Sequence, residues 1–151
     1  MRYLDLLRHA KTEPDNANGD AARELTETGK HEAAALRTEL GVLDPHPSYI
    51  LCSSATRTQQ TLALIRPALH DDAVIETSDS LYNAGTGMIY ELIKSLPDNL
   101  EAALLIGHNP GLSEIVNFLS ATPTALKPAD YVRLNINTNC WANIMPGQGK
   151  L

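Results

Sequence analysis

A three-layer α/β/α sandwich on a mainly parallel sheet is the fold this sequence predicts, and three observations lead to it. Short apolar runs at residues 3–7, 49–52 and 102–106 alternate with longer segments whose apolar residues recur at helical spacing. The run at 102–106 is almost wholly apolar, as expected for a strand covered by helices on both faces. Each run then passes through a polar turn toward a helical pattern, the order that builds α/β layers rather than an all-β sandwich.

Taken in order, residues 3–7 are the first strand and a central one. The polar stretch 11–24, holding Pro14, Asn16, Asn18, Gly19 and Asp20, is a loop, and a long loop beside a strand end is a place for function. From Thr26 onward Ala33, Leu36 and Leu40 share a helical face, and Gly41 is placed to stop it. Pro45 and Pro47 make 44–48 a connection. The second strand, 49–52, runs into a helix over about residues 55–68 with Leu62, Ile65 and Leu69 on its buried side. Ser53 or Ser54 is placed to cap that helix, with Arg57 in its first turn. A weak strand at 74–76 and a loop at 80–87 precede a helical stripe of Met88, Ile89, Leu92, Ile93 and Leu96. After the third strand and the turn 107–111, Leu112, Ile115, Val116 and Leu119 mark another helix. Residues 131–136 and 140–145 flank Asn137-Thr138-Asn139 and read as an edge hairpin, with Trp141 and Ile144 in the core or an interface.

A chain of 151 residues suits one domain spanning 1–151, with no room for a substantial cap. Its net charge of −6 argues against nucleic acid or an acidic membrane as the main partner, although a local basic pocket is compatible with it. No apolar run is long enough to span a bilayer or, ahead of Arg8, to act as a secretory signal, so the expected location is cytoplasmic. Cys52 and Cys140 are too few and too far apart for a disulfide framework.

Chemistry concentrates at three strand ends. Arg8-His9 follows the first strand, Ser53 through Thr58 with Arg57 follows the second, and Gly107-His108-Asn109-Pro110-Gly111 follows the third. Ligands of open α/β sheets sit beyond the carboxyl ends of the strands, so a parallel arrangement brings two arginines and two histidines together. Guanidinium groups grip phosphoryl oxygens in a fork and stay charged. A neutral imidazole can attack phosphorus while a protonated one holds an oxygen. The expected roles are His9 as nucleophile and His108 as electrostatic partner. Adjacent strand residues point to opposite faces, so Arg8 and His9 can share a site only where the strand has begun to turn.

These motifs resemble the histidine phosphatase superfamily, with its phosphoglycerate mutase-like fold. The matching residues are Arg8-His9, Ser53-x-x-x-Arg57-Thr58-x-Gln60-Thr61, and Gly107 through Gly111. The run Asp20-x-x-Arg23-x-Leu25-Thr26-x-x-Gly29 and the short chain are similar to its SixA-type phosphohistidine phosphatase branch. The resemblance implies phosphorylation of His9, phosphate binding by Arg8, Arg57, His108 and Asn109, and no metal or other cofactor. It departs from the family at Ala10, where glycine is usual, and at Asn83, where mutases and many sugar-phosphate phosphatases carry an acidic glutamate. An imidazole leaving group has a reference pKa of about 6.5 and needs less acid help than an alkoxide, so the loss favours a phosphohistidine-bearing protein as substrate. Glu13, Asp15, Asp20 or Glu24 in the adjacent loop could supply a carboxylate instead, Asp20 ahead of the other three, which read first as a solvated polar loop. Two other readings are a phosphomonoesterase acting on small phosphorylated metabolites and a module that binds phosphorylated partners without turnover. Cys52-x-x-x-x-Arg57 is one residue short of the cysteine-phosphatase loop, and His31, His46 and His70 lack metal-ligand spacing.

Overall fold

The computed structural model describes residues 1–151. Its elements are β1 (Arg2–Arg8), α1 (Glu27–Leu43), β2 (Tyr49–Ser53), α2 (Thr56–Ile65), β3 (Val74–Ser78), α3 (Thr86–Lys94), β4 (Ala102–Gly107), α4 (Gly111–Ser120), β5 (Tyr131–Ile136) and β6 (Gly149–Lys150). Single 3₁₀ turns lie at Asp20–Ala22, Arg66–Ala68 and Trp141–Asn143. One six-stranded sheet runs β3-β2-β4-β1-β5-β6. Its first four strands are parallel and β5 is antiparallel to β1, which is the mainly parallel α/β sheet expected.

Side chains on a strand alternate between faces, and the two cores follow that period of two. Leu4 and Leu6 of β1, with Ala103 and Leu105 of β4, pack against Ile89 and Ile93 of α3 and Leu112, Ile115 and Val116 of α4. Leu7, Leu104 and Ile106 point the other way, onto Leu36 and Leu40 of α1 and Leu62 and Ile65 of α2. Full burial of each such side chain is worth roughly 1.5–3 kcal/mol, so the doubly covered β4 is the strand the fold can least afford to alter.

One charge is buried within this apolar sheet. Asp5 is fully buried on β1, and its cross-strand partner on β5 is Arg133. The guanidinium donates to both carboxylate oxygens, at 2.7 and 2.8 Å. Asp5→Ala should destabilise the fold by about 3 kcal/mol, the low end for breaking a buried pair, because partly exposed Arg133 regains water. Urea unfolding at pH 7 measures this, and an unchanged midpoint would contradict it.

Several sequence expectations are corrected. Gly41 does not stop α1, which continues to Leu43 and ends where the Asp44 N–H donates to the Leu40 carbonyl with Asp44 in the left-handed region. The helical part of 55–68 divides into α2 and the 3₁₀ turn containing Pro67, which donates no backbone hydrogen bond. Neither Ser53 nor Ser54 caps α2, whose cap residue is Ala55, because Ser53 is the last residue of β2 and faces a tertiary partner. Residues 140–145 are not a strand. The indole N–H of Trp141 donates to the Leu100 carbonyl and its backbone N–H to the Asp98 carboxylate, and these bonds draw the segment into a turn. Trp141 is fully buried in the core, and the strand that pairs with β5 is β6. No helix is long and apolar enough to cross a membrane.

Candidate active site

Register brings the three sequence motifs together. Arg8 at the end of β1 lies opposite Gly107 of β4, and Cys52 of β2 lies opposite Ile106 of the same strand. The next residues are therefore His9, His108 and Ser53, with β4 in the middle. β1 ends at Arg8, and the side chains of Arg8 and His9 both line one cleft despite being neighbours in sequence. Two glycines let the surrounding segments close in. A Cβ on Gly29, in the first turn of α1, would lie 2.0 Å from the Lys11 carbonyl oxygen. One on Gly111, the first residue of α4, would lie 2.1 Å from that of Ala84. Only glycine allows these backbone approaches, which set the Lys11–Glu24 loop and the Leu81–Gly85 loop on either side of the strand ends.

The resulting open cleft has a volume of about 390 Å³ and no hydrophobic lining. Arg8, Lys11, Arg23 and Arg57 line it with a single carboxylate, Asp20, so the pocket is cationic in a chain of net charge −6. Arg57 is 3% exposed in the first turn of α2, where the positive end of the helix dipole adds to its charge.

The rings of His9 and His108 have centroids 5.4 Å apart. His9 Nδ1 lies 2.7 Å from the Ala10 carbonyl, which can only accept, so Nδ1 carries the proton and Nε2 keeps its lone pair. Burial lowers the His9 pKa to about 4, with Arg57 and Arg8 pushing the same way against the Ala10 carbonyl. Burial, then Arg57 and His9, lower that of His108 to about 3. In the free protein His108 is therefore neutral at pH 7, not the cation expected from the sequence. His108 Nε2 is 2.7 Å from Ser53 Oγ. Buried His108 Nδ1 and Arg8 Nε have no hydrogen-bond partner in the protein, and both residues line the cleft.

Asp20, the expected proton source, meets three hydrogen-bond donors. The Tyr82 hydroxyl, first, and then Arg23 and Arg57 hold its carboxyl well below the usual carboxylate range, so it stays ionised. It works as an anchor, accepting from Arg23 Nη1 at 2.9 Å and from Arg57 Nη2 at 3.3 Å, while its backbone carbonyl accepts from Arg57 Nη1 at 2.9 Å. Asn83, in the left-handed region at φ 47°, lies on the cleft with Oδ1 3.4 Å from Arg57 Nη2. Asparagine tolerates that conformation better than most residues. Asn109 also lines the cleft but spends much of its amide on the protein, donating to the Leu126 carbonyl and accepting from Ser113. Arg23 and Tyr82 were not picked out as site residues from sequence. Arg23 stood inside the Asp20–Gly29 run, which was the signal available for it, whereas Tyr82 had none beyond adjacency to Asn83.

Burial pushes the Cys52 thiol up to about 12, which leaves it without thiolate character. His46 and His70 stack on each other at the opposite end of the strands, each paired with an aspartate, and no group of three or more ligand side chains converges for a metal.

A parallel sheet that presents two imidazoles and three guanidiniums to one cleft defines a phosphoryl-handling α/β protein. The model of the histidine phosphatase superfamily (branch 1) matches residues 4–105, and the chain belongs to that family of phosphatases. Two solved structures, each named as a putative phosphohistidine phosphatase SixA, share its fold closely. One, from Nakamurella multipartitia, is 26% identical with a TM-score of 0.82 over 99% of this chain and 94% of its own. The other, from Agrobacterium tumefaciens, is 26% identical with a TM-score of 0.81 over 89% and 92%. An uncharacterized Mycobacterium tuberculosis protein is 30% identical over 93% of both chains.

Proposed function

We propose that this protein hydrolyses phosphohistidine on a protein substrate through a phosphorylated His9. The observation that carries the reading is a nucleophilic His9 Nε2 facing phosphate-gripping arginines in a cleft with no carboxylic acid. Asn83 stands where mutases and many sugar-phosphate phosphatases of the superfamily carry a glutamate, and the Asp20 carboxyl is held as a carboxylate. His9 Nε2 bonds to phosphorus as the substrate's P–N bond breaks, and the departing imidazole takes a proton from solvent. Water then attacks the phosphorus of phosphorylated His9, the new N–P bond breaks, and inorganic phosphate leaves with release of a proton. Arg8, Arg57 and Arg23 hold the equatorial oxygens and His108 Nδ1 meets another, so stabilisation by fixed charge and dipole replaces acid catalysis. A phosphohistidine-bearing protein and a sugar phosphate, each assayed with and without chelator, test this. The first should be the better substrate under both conditions, and efficient sugar-phosphate hydrolysis would favour the small-molecule reading instead.

The pH dependence follows from His9. A histidine at the reference value near 6.5 is only about 3% neutral at pH 5. With its pKa drawn down to about 4, His9 keeps its lone pair there and loses it only as pH falls through that value. The acid limb of kcat/KM should accordingly lie near pH 4, and a limb near 6.5 would show that His9 is not shielded in this way.

A further inference from the structure

We infer that Ser53 is a positioning residue that holds His108 in its neutral, Nδ1-protonated tautomer and so makes Nδ1 the hydrogen-bond donor to the phosphoryl group. The inference rests on the reading of this cleft as a phosphoryl site. Ser53 and His108 sit at the ends of the neighbouring strands β2 and β4, and Ser53 is fully buried. Its Oγ lies 2.7 Å from His108 Nε2 and already accepts from the Ala55 backbone N–H at 3.3 Å.

A hydroxyl has one hydrogen to give. If His108 carried its proton on Nε2, Ser53 Oγ would accept twice and its own hydrogen would be left without an acceptor in a dry position. The imidazolium form meets the same objection, since it too carries a proton on Nε2, and it adds a cation beside Arg57. A proton on Nε2 would leave both the hydroxyl hydrogen and Nδ1 without a partner, whereas with the Ser53 hydroxyl donating to Nε2 only Nδ1 is left unpaired in the free protein. The one remaining imidazole proton then sits on Nδ1, the atom with no acceptor in the protein. Both histidines are thereby fixed with a proton on Nδ1, for opposite ends. In His9 the Ala10 carbonyl consumes that proton and frees Nε2 to attack, whereas in His108 the serine occupies Nε2 and Nδ1–H serves the anion. His108 thus adds a directed donor to the arginine-rich cleft without adding a charge that would compete with His9 for neutrality.

Two-bond proton–nitrogen spectra of protein labelled with ¹⁵N-histidine test this at pH 7, with the His108 signals assigned by their loss in His108→Gln. The expected result is a protonated Nδ1 and unprotonated Nε2 in His108, with inorganic phosphate perturbing Nδ1 more than Nε2. An Nε2-protonated or doubly protonated His108 overturns the assignment alone. Phosphate that leaves both His9 and His108 unmoved overturns the phosphoryl reading beneath it. Ser53→Ala should mix the tautomers and lower kcat/KM on phosphoramidate by about 10- to 100-fold, with Ser53→Thr restoring the tautomer. A single Nδ1 tautomer at full rate in Ser53→Ala would contradict the role given to Ser53.

Discussion

His9→Ala should abolish turnover, with a loss on the order of 10⁴-fold or more, while inorganic phosphate still binds. The two outcomes separate because they use different atoms. Binding draws on the guanidiniums of Arg8, Arg23 and Arg57 and on His108 Nδ1, none of which depends on the His9 ring for its position. Arg57 is anchored by Asp20 and Asn83, Arg8 by the Leu126 carbonyl, and His108 by Ser53. Turnover needs a lone pair in line with the departing group, and His9 Nε2 is the imidazole nitrogen in the cleft left unprotonated and unshared by its own backbone bond. His9 is neutral at pH 7, so removing its ring leaves the charge of the cleft unchanged and phosphate binding should hold. Initial rates and a phosphate titration by calorimetry measure the two quantities. Wild-type protein given labelled substrate should carry phosphate on His9, and His9→Ala should carry none. Turnover surviving in His9→Ala would remove His9 from the chemistry, whereas an inactive wild type with equal binding in both proteins would mark a phospho-binding module.

The fold and the centre of the site were legible because they depend on short-range rules. Strand and helix periods place Arg8-His9, Arg57 and His108 at strand ends, and once β1, β2 and β4 are parallel neighbours, convergence requires no further information. What could not be read depends on long-range contacts. Ser53 obeys the local rule for a helix cap, but the His108 ring at the end of β4 takes its hydroxyl instead. Residues 140–145 look like a strand until Asp98 and Leu100, about forty positions away, capture Trp141. Asp20 looked like an available acid because nothing near it in sequence shows that Tyr82 and Arg57 would meet its carboxylate. The loop carrying it is tied down by equally distant bonds, including Leu25 N–H to the Gln60 side chain on α2.

Arg57→Ala should lower kcat/KM by about 10³-fold, and Arg57→Lys should recover only a small part of that loss. The reason lies in how the guanidinium is shared. Nη1 donates to the Asp20 carbonyl, and Nη2 reaches both the Asp20 carboxylate and Asn83, so one planar group holds the loop and faces the anion. An ammonium has the charge but not the fork, and it cannot hold loop and phosphoryl oxygens at once. Among the cations, Arg57 lowers the pKa of both His9 and His108 most. Its removal should move the acid limb of the pH profile up from about 4 toward the histidine reference value, and lysine should keep that limb low. Lost packing alone would reduce the rate in both variants without moving the limb. An Arg57→Ala enzyme that is slow but retains its acid limb near pH 4 would therefore show that the guanidinium supports the cleft sterically, and that desolvation alone keeps the two imidazoles neutral.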